Sequence, residues 1–209
     1  MIVVVEKYNA HKYSRLMDEM FRLRARIFHE RLKWDVQVKD GRERDRYDDE
    51  GPTYIIYTDE EQRKMKGSVR LLPTTGPTLL ADFFSDTIPD AVHLSSPTIW
   101  EGTRFCLNDA IFDKEPVDAL LFAAAEMIAG LGEVAVNAGI ESIVGNFDSA
   151  MLRLYRLIGC DVEILGSSLK YGRPVYLGLF PVSEPLLRRG KRKLANGRLS
   201  FATSAQLVA

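Results

Sequence analysis

The sequence is poor in the residues that build metal centres and disulfide frameworks: two cysteines, Cys106 and Cys160, and three histidines, His11, His29 and His93, stand among 209 residues. Two cysteines are too few to staple a chain of this size, and neither has the paired spacing of a zinc site. The histidines have no second ligand at helical or hairpin spacing, so no metal is expected. Both cysteines read as small core residues. A surplus of one charge is also missing, since 28 Lys+Arg against 29 Asp+Glu leave a formal charge of minus one. That balance removes the broad basic field of a nonspecific nucleic-acid binder, and any charged partner must be held locally. No apolar run approaches the roughly 18–20 residues of a membrane span. The opening MIVVVEKYNAHKY has too short a run, with acid too early, for a secretory signal. These absences predict a cytoplasmic protein with no nucleic-acid partner and no membrane span. What remains, 46% hydrophobic and 27% charged residues, suffices for one core and hence one domain over residues 1–209.

The chain carries no internal repeat. Its β-branched start predicts a strand at about residues 2–6. From Ser14 to Leu32, Leu16, Met20, Leu23 and Ile27 recur at three- and four-residue intervals, one face of a helix with Ser14 as its cap. Lys33 to Pro52 is charge-dense and aperiodic, a long loop of the length that is usually functional or disordered. TYIIYT and GSVRLLP read as an antiparallel pair, TLLADFF as a helical turn, and TIWEGTRFCL as a strand. Pro116 suits the first turn of a long apolar helix closed by Gly139, with Gly130 and Gly132 weakening its middle. Strand, helix and two strands follow at ESIVGNF, SAMLRLYRLIG, DVEILG and PVYLGLF. After Pro181 periodicity fades into a basic tail, expected to be mobile or partner-facing. The order predicts an α/β fold with a mixed sheet and helices on both faces.

Two groups of residues resist a bland reading. Arg24 and Phe28 share a helix face, and Trp34 follows before a loop carrying Asp45 and Asp48, so a cation, two rings and two carboxylates can form a small-ligand cage. The plain alternative is core packing, with Arg24 paired to Glu19 or Asp48. In WEGTRF, Glu101 and Arg104 are an odd number of residues apart. A regular strand sends them to opposite faces, with Thr103 and Phe105 beside Glu101. Glu101 on a cleft wall can take a proton from an amine; the plain alternative is an ion pair with Arg70.

Taken in order, Arg24 and Phe28, Trp34, the DxxD of Asp45 and Asp48, GSVRLLPTTGP around Arg70, and WEGTRF around Glu101 and Arg104 resemble the acyl-homoserine-lactone synthases, the autoinducer synthases of bacterial quorum sensing. The resemblance runs from about Met20 to Leu107 and more weakly to about Phe180. It implies a three-layer α/β/α sandwich like that of the GNAT acyltransferases. It also implies transfer of an acyl group from acyl carrier protein or acyl-CoA to the amine of S-adenosylmethionine, then lactone closure with release of methylthioadenosine. S-adenosylmethionine is then a substrate and no cofactor is needed. Glu101, Arg70 and Arg104 become the catalytic candidates. Arg24, Phe28, Trp34, Asp45, Asp48, Arg104 and Phe105 become those for S-adenosylmethionine.

An acyl tail asks for an apolar pocket, for which Leu121, Phe122, Met127, Ile143, Val144, Gly145, Phe147, Met151, Leu152 and Leu154 supply material. Gly145 stands where some relatives selective for 3-oxo chains have threonine, and glycine offers no hydroxyl to such a group. Arg153 and Arg156, with Lys170 and Arg173, can form a basic patch for an acidic carrier protein. Two rivals remain: a GNAT-type transferase acting on another amine, although its Q/RxxGxG/A loop is missing here, and a noncatalytic sensor of S-adenosylmethionine or an acyl group.

Overall fold

In the computed structural model, which describes residues 1–90, 92–112 and 117–195, the β-branched start forms strand β1 (Ile2–Val5). Helix α1 (Ser14–Arg24) follows. Its expected continuation to Leu32 is instead a π-helical turn, Ala25–Arg31. The wider turn keeps Ile27 and Phe28 buried, and such π segments gather at functional sites. Tyr13, without a side-chain bond, occupies the cap position expected of Ser14.

The charge-dense stretch is ordered rather than structureless. It holds a two-stranded hairpin, β2 (Val38–Lys39) with β3 (Arg42–Glu43), and a 3₁₀ turn at Arg46–Asp48 closed by a capping box between Asp45 and Asp48. Strands β4 (Thr53–Thr58) and β5 (Met65–Pro73) pair antiparallel as expected. Helix α2 (Leu79–Phe83) and strand β6 (Ile99–Leu107) follow. Then come α3 (Asp109–Phe112), α4 (Val117–Asn137), β7 (Ser142–Asp148) and α5 (Ser149–Leu157). Strands β8 (Glu163–Ser168) and β9 (Val175–Pro181) precede α6 (Glu184–Ala195). The stretch expected to lose periodicity is thus helical to Ala195, because Leu186, Leu187 and Leu194 recur on one face. Pro116 lies outside the described residues.

The main sheet runs β1-β4-β5-β6-β7-β9-β8, and only β6 and β7 pair in parallel. α1 covers one face, packing Leu16, Met20 and Leu23 on Val3, Val5 and Ile56. α4 covers the other, packing Ala123, Met127, Leu131 and Ala135 on Ile55, Val69 and Ile143. The layers are therefore those of an α/β/α sandwich. Residues 118–137 of α4 have the length and apolarity of a membrane span, but here that apolar face lies on the sheet. Gly130 does not interrupt the helix: a Cβ there would sit 2.3 Å from Ile2 Cγ1, so glycine is what lets α4 lie this close to β1.

Two irregularities in β6 shape the site. Against β5 the register shifts between Ser68 and Arg70, with Ser68 opposite Cys106 and Arg70 opposite Thr103. Two residues of β6 therefore face one of β5, a β-bulge, and Arg104 takes a left-handed φ of 55°. The bulge cancels the expected alternation. Arg104 joins Glu101 and Thr103 on the α1 side, while Phe105 turns to the α4 side, its ring 6.4 Å from that of Tyr155. Beyond Glu101 and Val144 the β6–β7 pairing stops. At that point Gly145 lies so near β6 that a Cβ would be 2.9 Å from the Gly102 carbonyl oxygen.

Candidate active site

The α1 side of β5 and β6 carries a buried network of three arginines and three carboxylates. Arg24 comes from α1, Arg70 from β5 and Arg104 from the bulge; Glu43, Asp45 and Asp48 come from the loop. Arg24 holds Asp48 through both terminal nitrogens at 2.8 and 2.9 Å and Glu43 through Nε at 2.5 Å. Arg70 donates to Thr103 Oγ1 at 3.0 Å, to Asp48 at 2.9 Å and to Asp45 at 3.0 Å. Arg104 donates from Nη2 to Glu43 at 3.0 Å and to Asp45 at 2.9 Å. Asp48 also accepts from the Tyr54 hydroxyl at 2.8 Å and the Asp45 amide at 2.9 Å.

Burial alone would raise the Asp48 pKa, but Arg24, Arg70 and the Asp45 amide hold it well below the usual carboxylate range. The plain pairing of Arg24 with Asp48 is therefore present, while Glu19 instead pairs with Arg15. The sequence reading missed Glu43, which is fully buried between Arg24 and Arg104. Its only signal was its place in a dense run of charge. With three arginines against three carboxylates, the network balances its charges, and the expected group of one cation and two carboxylates gains Glu43, Arg70 and Arg104.

Glu101 makes no ion pair with Arg70. Its carboxylate accepts the amides of Leu79 at 3.0 Å and Leu80 at 2.6 Å, from the first turn of α2. Thr78 caps that turn, and Tyr47 and Arg46 of the loop tie Asp82 of the same helix. Burial pushes the Glu101 pKa up to about 7, against the opposing pull of the Leu80 and Leu79 amides and the Arg70 and Arg104 charges. A carboxylate with that value is poised to exchange a proton near neutral pH.

Phe28 and Trp34 stack at 5.0 Å. Arg104 lies over the Phe28 ring at 5.3 Å and Arg173 over the Trp34 ring at 5.9 Å. These rings, Arg104 and Glu101 line one cavity of about 470 Å³. It passes the point where β6 and β7 part and continues between the sheet and helices α4, α5 and α6.

Of the expected acyl-pocket residues, Ile143, Val144, Gly145, Phe147, Met151 and Leu154 line this cavity. Leu121, Met127 and Leu152 do not; they are buried behind the lining, in contact with the sheet and α5. Phe122 is exposed. They fall outside because a helix turns different residues inward than a simple apolar run suggests. Phe105 also lines the cavity, but from the α4 side, away from the rings it was grouped with. Arg24, Arg70, Asp45 and Asp48 stand behind the wall and brace it. Asn146, unnoticed in the sequence, lies on the wall with a buried Oδ1 that has no hydrogen-bond partner among the described residues.

Arg153, Arg156 and Lys170 are exposed, and Arg173 reaches from the β8–β9 turn to Asp148 at 3.5 Å. Among the described residues no group of histidine, cysteine and carboxylate is arranged to hold a metal.

Comparison with known proteins agrees with this geometry. The autoinducer synthase family model matches residues 8–189. An acyl-homoserine-lactone synthase of Rhizobium etli is 41% identical over 196 residues, 93% of this chain and 91% of the relative. BjaI, a CoA-dependent acyl-homoserine lactone synthase solved with SAM and isopentyl-CoA, superposes with a TM-score of 0.80 at 26% identity, covering 93% of this chain and 89% of BjaI. A putative N-acetyltransferase from Lactobacillus plantarum shares the fold at a TM-score of 0.53 and 15% identity, covering 87% and 99% of the two chains. The family model over most of the chain and the 41% identity to the Rhizobium etli enzyme, on a GNAT-like sandwich whose parted strands β6 and β7 open a cavity beside Glu101, place this chain in the autoinducer synthase family, the acyl-homoserine-lactone synthases.

Proposed function

We propose that the cavity holds S-adenosylmethionine at the Phe28–Trp34 end and the acyl chain of a thioester on the α4–α5 side, and that Glu101 is the base. The carrying observation is that Trp34, Glu101 and the apolar wall line one continuous cavity. The α-amine gives its proton to Glu101, directly or through a water, and its lone pair attacks the thioester carbonyl. Backbone amides where β6 leaves β7 supply donors to the tetrahedral oxyanion, which expels the thiol. The substrate carboxylate then attacks its own γ-carbon, the C–S bond breaks, and neutral methylthioadenosine leaves. Stacked rings favour the sulfonium, and Arg104, on the cavity wall, is the arginine placed to meet the substrate carboxylate. Arg24, Arg70, Asp45 and Asp48 hold that arginine and the rings in place as positioning residues.

The donor is acyl carrier protein or acyl-CoA. Exposed Arg153, Arg156 and Lys170 suit an acidic carrier, while BjaI is described as CoA-dependent. A cytoplasmic setting supplies both donors. The test is incubation of purified protein with S-adenosylmethionine and a panel of acyl carrier and acyl-CoA donors, following methylthioadenosine and acyl lactone. Release of both supports the reading; acylation of other amines without lactone, or binding without product, overturns it. Arg153→Glu with Arg156→Glu should raise KM for carrier-bound donors alone.

A further inference from the structure

We propose that helix α6 is the end wall of the acyl cavity, and that Gly190, with Leu187 beside it, sets the longest chain the enzyme accepts. The identity of the ligand as an acyl chain rests on the function proposed above; the position of the wall does not. Leu186, Leu187, Gly190 and Leu194 all line the cavity. Their spacing of one, four and eight residues from Leu186 puts them on one face of the helix. That face lies over α4, where Gly132 also lines the cavity and where a Cβ would sit 3.4 Å from Leu187 Cδ1.

Gly190 is the unusual member. A Cβ there would meet no atom within 4 Å, so packing does not require glycine at this position. A glycine inside a helix weakens it relative to alanine, and the left-handed backbone that favours glycine is absent here. What glycine leaves is open space beside a residue that lines the cavity. Ion pairs Arg189–Asp161, whose two residues also line the cavity, and Lys191–Glu133 fasten α6 in place there. The wall is therefore set by side-chain volume on α6 rather than by the strands around Glu101.

The measurement is kcat/KM for dodecanoyl against butanoyl donors, taken as a ratio within each variant. Gly190→Leu should lower the ratio by about tenfold, as burial of roughly two methylenes is lost. Gly190→Ala should fall between that variant and wild type. Leu187→Ala should move preference the other way, raising tetradecanoyl over dodecanoyl turnover. Each ratio carries its own control for folding, because the short donor reports the amount of active enzyme.

If wild type makes no lactone from any donor, the functional reading fails. Calorimetric titration with saturated fatty acids from butanoate to tetradecanoate then reads the wall directly, with Gly190→Leu weakening long acids relative to short ones. Unchanged ratios in Gly190→Leu, or in that case no binding of any fatty acid to wild type, overturn the inference.

Discussion

Asp48 and Glu101 are both buried carboxylates, and they differ in what surrounds them. Asp48 sits among two arginines, a tyrosine hydroxyl and an amide, which hold its pKa well below the usual carboxylate range and keep it an anion at neutral pH. Glu101 is paired only with two amides, stands on the cavity wall, and has its pKa pushed up to about 7. The first environment compensates burial in full and makes a brace. The second compensates it in part and leaves a group that can change its charge. The same contrast extends to the two sides of β6: a closed ionic network on the α1 side, and open apolar volume between the sheet and α4, α5 and α6.

If that contrast is right, the largest effect belongs to the responsive carboxylate. Glu101→Gln should lower turnover by about 10²–10⁴-fold while the circular dichroism spectrum stays native; wild-type rates in that variant refute the base. Asp48→Ala should act on folding first. It leaves Arg24 and Arg70 buried without their shared anion, a loss of about 3–5 kcal/mol in urea unfolding. A loss below about 1 kcal/mol would show that the brace is not one.

pH separates the two carboxylates by sign. Because Glu101 is raised from 4.5 to about 7 on folding, its protonated form favours the folded state. That contribution is whole below the ordinary carboxylate range and disappears as pH rises through about 7, up to about 3 kcal/mol in all. Asp48 is lowered, so its contribution is whole above the ordinary range and is lost as pH falls below it. Activity should run against the Glu101 stability trend. kcat/KM rises as pH passes about 7 and Glu101 ionises, and Glu101→Gln should erase that rise.

Effects should be gentler on the apolar side. Met151, half-buried on the cavity wall, should lose only about 1–2 kcal/mol on change to Ala, since part of its surface already faces open volume. The exposed Arg63–Glu61 pair is the lower bound: Arg63→Ala should cost under about 0.5 kcal/mol.

The sequence made the apolar periods legible, and with them the β4–β5 pair, the long helix α4 and the short helix α2. It also picked out Arg24, Phe28, Trp34, Arg70, Glu101 and Arg104 as one region. Three features lay beyond it. Strand alternation placed Arg104 opposite Glu101, and no local residue announces a bulge that depends on how β5 meets β6. Glu43 was one acid among many until two arginines from distant elements closed on it. The apolar cavity wall was sought among residues from Leu121 to Leu154, and α6, read as a tail, adds Leu186, Leu187, Gly190 and Leu194 to it.

Residue order alone determined which stretches are apolar enough to fold together and which charged residues are too expensive to bury without partners. Those are properties of side chains and their spacing. Only the tertiary structure decided which charges neutralise one another, which carboxylate is left without an ion-pair partner, and which segments line the cavity. Each of these depends on distances of a few ångströms between segments tens of residues apart, set by β6 parting from β7 and by α6 folding back over α4.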